Sequence, residues 1–61
     1  MEERYLISDL INGVYYRDEN TWTDDITKAY FFAYRETVEQ FLSECDSPFI
    51  LRIVEVYIKV N

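Results

Sequence analysis

Histidine is absent from the chain, and cysteine, glycine, proline, tryptophan and methionine occur once each. Without histidine the commonest general base and metal ligand is missing. Ser8, Ser43 and Ser47 therefore have no imidazole to activate them. The lone Cys45 forms neither an internal disulfide nor a zinc cluster, and its plain reading is a small buried apolar residue. One glycine cannot build a phosphate-cradling loop, which needs several. No apolar run approaches the length of a membrane span. The N-terminus, Met1-Glu2-Glu3-Arg4-Tyr5, is acidic and carries no apolar leader segment. The expectation from these absences is a protein that is not an enzyme, uses no cofactor or metal, and works in a reducing cytoplasm away from membranes.

What remains is short, acidic and aromatic. Sixty-one residues make one small domain with a marginal core. Twelve Asp and Glu against six Lys and Arg give a net charge of −6. Direct nucleic-acid binding is disfavoured, because phosphate contacts need Lys and Arg. Apolar residues at 49% and aromatics at 18% place the chain outside the disordered class.

The order of signals predicts an α+β fold: an N-terminal β-hairpin, a helical segment of one or two helices, and a long C-terminal strand. That strand would complete a small antiparallel sheet packed on the helix. Arg4 to Ile11 has strand composition. Asn12-Gly13 then predicts a two-residue hairpin turn, with Ile11 opposite Val14 and Asp9 opposite Tyr16. Asp18-Glu19-Asn20 reads as a polar loop, and Thr21-Trp22 as a strand extension or a core plug. Thr23 is a candidate N-cap, with Asp24 and Asp25 in the first turn of a helical segment running to Tyr30. Tyr34, Val38, Phe41, Leu42 and Cys45 follow at helical spacing. No Gly or Pro interrupts a single helix over 24–44, but three consecutive aromatics do not fit one helical stripe and favour a break near Phe31-Phe32. Asp46-Ser47-Pro48 predicts a turn.

Phe49 to Val60 is a long β run whose alternation changes phase. Either a bulge near Ile53-Val54 gathers the apolar residues on one side, or both faces are covered, one by the helix and one by a second subunit. An unpaired edge of that length is an aggregation hazard. A homodimer through the sheet edge or strand 49–60 is the expected remedy. Trp22, Phe32, Phe41 and Phe49 are the expected core aromatics.

Carboxylates concentrate at Asp18, Glu19, Asp24 and Asp25. A calcium loop starting at Asp18 fails, because it would need an oxygen ligand at Trp22, glycine at Thr23 and glutamate at Ala29. Glycosidase chemistry needs a cleft that so short a chain cannot supply. The four carboxylates are instead candidates for an acidic partner-binding patch, steering a protein with a basic surface. Tyr15, Tyr16 and Tyr57 are candidates for an aromatic partner or dimer interface. Neighbours on a strand face opposite ways, so one of Tyr15 and Tyr16 must leave the core.

The pattern Tyr5-x-Ile7, Asn12-Gly13-x-Tyr15-Tyr16, Trp22-Thr23-Asp24-Asp25-Ile26-x-x-Ala29-x-x-Phe32, Phe41-Leu42 and Ile53-Val54-x-Val56 resembles small uncharacterised proteins of bacteriophages and mobile elements. It departs from them at Ala33, where they usually offer Ser or Thr as a helix cap. The resemblance implies a counter-defence role: inhibition of a host defence protein, in the host cytoplasm, by binding or mimicry. It transfers no functional residue. The alternative reading is a homodimer that binds a nucleotide or other small ligand, with Arg17 and Arg52 as candidate anion contacts, or a structural accessory protein.

Overall fold

A computed structural model describes residues 1–19, 21–45 and 50–59. The described elements are β1 (Glu2–Asp9), β2 (Val14–Asp18), β3 (Thr21–Thr23), a single 3-10 turn (Ile26–Lys28), α1 (Arg35–Ser43) and β4 (Leu51–Ile58). The strands form one antiparallel sheet in the order β3-β2-β1-β4, so the C-terminal strand lies beside the first. The fold is α+β, with a helix packed on the sheet, as the sequence predicts. The expected turn at 46–48, the core position of Phe49, and the loop residue Asn20 lie outside the described residues.

The hairpin is longer than Asn12-Gly13 alone predicts. Asp9 pairs with Val14 and Ser8 with Tyr15, so four residues form the loop. Its cause is the Asp9 carboxylate. That group accepts the N–H of Ile11 at 2.9 Å, the N–H of Asn12 at 3.0 Å and the Asn12 side-chain amide at 2.9 Å. Such a local cap outcompetes further ladder pairing. Gly13 closes the loop at φ 67°, in the left-handed region that glycine enters without strain, and donates to the Asp9 carbonyl at 2.9 Å. Leu10 and Ile11 are thereby left exposed at the tip, and the expected Ile11–Val14 and Asp9–Tyr16 pairs do not form.

β1 and β2 pair over only two residues before they part. The segment after the 3-10 turn enters the gap. Phe32 and Tyr5 exchange backbone hydrogen bonds of 2.9 and 2.7 Å, and the Tyr30 N–H donates to the Tyr16 carbonyl at 2.9 Å. The predicted break between the two helical segments is therefore an extended splice into the sheet. The first segment reduces to one 3-10 turn capped by Asp25, not Thr23, whose hydroxyl instead accepts the Asp25 N–H at 3.1 Å. The second segment is α1. Tyr34 sits outside it as an extended, exposed N-cap residue rather than on its apolar stripe.

α1 buries Val38 against Ile7 and Phe32, and Phe41, Leu42, Tyr5, Tyr16, Leu51 and Ile53 close round that cluster. Arg35 ties the start of the helix to the sheet through Glu55 at 3.5 Å, and also reaches Glu39 one turn on at 3.1 Å. β1 and β4 pair without interruption from Glu2–Ile58 to Asp9–Leu51. There is no bulge at Ile53-Val54. Since cross-strand partners share a face, Leu51 and Ile53 lie on the α1 side, while Val54, Val56 and Ile58 lie on the other side with Leu6. Leu6 and Ala29 are buried outside the α1 cluster.

Candidate functional site

A row of aromatic rings crosses the sheet beneath α1 and comes to the surface near β3. Trp22 is directly opposite Tyr16, and their rings meet edge to face at 5.6 Å. Tyr16 stacks on Phe32 at 6.2 Å, and Phe32 meets Tyr30 at 4.6 Å. Phe41 of α1 packs over Tyr16 at 4.6 Å. The inner members, Tyr16, Phe32 and Phe41, are buried or half-buried. The outer ones are not: Trp22 is 38% exposed and Tyr30 50%. Two large aromatic surfaces thus face solvent while their inner edges rest on a packed core, which fixes them at small entropic cost.

Acidic residues bracket this exposed end. Asp18 closes β2 opposite Thr21, and the Thr21 hydroxyl donates to its carboxylate at 3.0 Å. Glu19 follows at φ 45°, in the left-handed region. Asp24 and Asp25 leave the other end of β3. The Asp25 carboxylate accepts from the Thr27 hydroxyl at 2.6 Å and the Thr27 N–H at 3.0 Å. Those bonds, the hydroxyl's first, hold its pKa below the usual aspartate value. Asp25 and Asp18 therefore also shape the backbone around Trp22. Glu19 and Asp24 are exposed.

The structure brings the four predicted carboxylates to the two ends of β3. Of the three predicted tyrosines, Tyr15 and Tyr16 lie beside β3, opposite Thr23 and Trp22, but neither ring is fully exposed there, and Tyr57 is remote. Tyr16 turns into the core, Tyr15 is half-buried on the opposite face, and Tyr57 stands 62% exposed on β4, at the other edge of the sheet. Trp22 and Tyr30 join the site instead. The expectation of Trp22 as a core aromatic is thereby corrected: on the short edge strand β3 its ring is covered only on the Tyr16 side. No local signal marked Trp22 or Tyr30 as exposed, and the position of Tyr30 depends on the Phe32 splice.

No protein family, curated protein or solved structure matches the chain. Among the described residues, no group of three or more Cys, Asp or Glu is placed to hold a metal ion. No helix among them is long and apolar enough to cross a membrane.

Proposed function

We propose that this chain is a small acidic protein-binding module that antagonises a partner with a basic surface by occupying it. The observation that carries the reading is the exposed Trp22 ring, seated on Tyr16 and bracketed by Asp18, Glu19, Asp24 and Asp25. Tryptophan is the residue most enriched among interface hot spots, and its π-face attracts Arg and Lys side chains. Carboxylates at the rim accelerate encounter with a basic partner. An anchor with an acidic rim suits surfaces that otherwise meet phosphate. On the resemblance to phage proteins, the partner is a host defence protein and the chain its inhibitor, acting in the host cytoplasm without catalysis.

The test is affinity capture from a bacterial lysate with the wild-type chain and Trp22→Ala, at low and high salt. One specific basic partner, lost at high salt and with Trp22→Ala, is the expected result. A partner retained equally by Trp22→Ala, or capture of nothing, overturns the reading.

A further inference from the structure

We propose that the outer edge of β4 pairs antiparallel with the same edge of a second copy of this chain, about a two-fold axis at Tyr57. β4 is the terminal strand of the sheet, eight residues long, with no proline or bulge. Leu10 donates its N–H to the Ile50 carbonyl at 3.1 Å, and the ladder continues unbroken from there. In an antiparallel ladder the two polar groups of a residue face the same side, alternating along the strand. Arg52, Val54, Val56 and Ile58 therefore turn their backbones towards β1. Leu51, Ile53, Glu55, Tyr57 and, just beyond the strand, Lys59 turn theirs outward, away from the sheet. Such an edge is a template for another strand.

Charge identifies that strand as a second copy. Glu55 and Lys59 lie two residues either side of Tyr57. A two-fold axis at Tyr57 sets Glu55 opposite the partner's Lys59, and Lys59 opposite the partner's Glu55. It also sets Val56 opposite the partner's Ile58 on the other face. A two-fold at Glu55 would instead oppose two carboxylates, which is destabilising. The Glu55 carboxylate is already oriented by Arg35 at 3.5 Å. The long-range field agrees. Each copy carries a net −6, and the acidic patch lies at β3, the far end of the strand order. Pairing through β4 keeps the two patches apart, whereas pairing through β3 would press them together. The assembled sheet would present two Trp22 sites, one at each end.

The first test is the mass of the intact chain by light scattering and native mass spectrometry across micromolar to millimolar concentration. Twice the 7.4 kDa chain mass is expected. Glu55→Lys should weaken the dimer about tenfold, since two cross-strand attractions become repulsions, and Glu55→Lys with Lys59→Glu should restore it. In a Cys45→Ser background, Tyr57→Cys should cross-link on oxidation. Opposed Cα atoms at such a site lie about 5.5 Å apart, within disulfide reach. Glu55→Cys should not, because its symmetry mate would lie about 14 Å away. A chain that keeps its single mass at millimolar concentration overturns the proposal. So does a dimer that ignores the charge swap, or one that cross-links through Glu55→Cys and not Tyr57→Cys.

Discussion

At one edge of the sheet β3 offers three residues, Thr21–Thr23; at the other β4 offers eight, Leu51–Ile58. The short edge is protected in several ways. The register shifts between Tyr16 and Asp18, so Arg17 is an extra residue against β3, and acidic residues stand at both of its ends. Short strands, bulges and charge are the usual devices that stop edge pairing. The long edge has a regular ladder and branched apolar residues on both faces. The contrast separates two kinds of recognition. β3 presents side chains, an aromatic ring in an acidic frame, and suits a partner read by charge and shape. β4 presents backbone, and suits a strand.

The contrast can be broken most severely at its common support. Phe32 holds the splice between β1 and β2 and backs both Tyr16 and Tyr30. Phe32→Ala should cost about 3–5 kcal/mol. That is comparable to the whole stability of so small a domain, roughly 3–9 kcal/mol. Urea denaturation followed by tryptophan fluorescence would read the loss, and the Trp22 emission should move towards that of free indole. Proline on β4 sharpens the comparison of backbone directions. Val54→Pro removes an inward N–H and should cost about 3 kcal/mol or more, whereas Tyr57→Pro removes an outward one and should spare most of the fold. Circular dichroism melts of the two variants would show whether they diverge.

Smaller effects probe β3. Trp22→Ala should lower the melting temperature modestly, through the lost contact with Tyr16, and weaken partner binding by about 2 kcal/mol or more, the scale of a hot-spot residue. Calorimetry on the captured complex measures this. Reversing Glu19 or Asp24 to Lys should mainly slow association and flatten its salt dependence, seen by stopped-flow mixing.

The smallest effect is on pH. Hydrogen bonds from Asn12, the side-chain amide's first, hold the Asp9 carboxyl below its usual pKa, and those from Thr27 do the same for Asp25. A depressed folded-state pKa contributes stability above the unfolded value of about 3.9 and loses it as pH falls through the folded value. The urea midpoint should therefore fall below about pH 4, and less so in Asp9→Asn.

The elements themselves were legible in the sequence because each carries a local signature. β-branched and aromatic runs marked β1, β2 and β4, and the spacing of Val38, Phe41 and Leu42 marked α1. Their register was less legible. Asn12-Gly13 marked the hairpin, yet its loop took four residues because Asp9 captured the turn N–H groups, a choice of partner that turn composition alone does not reveal. The acidic half of the candidate site was visible as clustered carboxylates. Its aromatic half was not, since whether Trp22 and Tyr30 are covered depends on what packs beside them.

By itself, then, the sequence determined the chemistry on offer: no histidine, one thiol, an excess of carboxylates, more aromatic rings than one face can hold, and strands and a helix in a definite order. Periodicity and residue type act over a few neighbours, so these are readable without a fold. Only the tertiary structure decided that Phe32 enters the sheet beside Tyr5, that Trp22 stays at the surface while Tyr16 is covered, and that β4 is the terminal strand of the sheet, beside β1. Those outcomes depend on contacts between residues far apart in the chain. They are settled by which segments compete for the same ladder positions, and not by any segment's own preference.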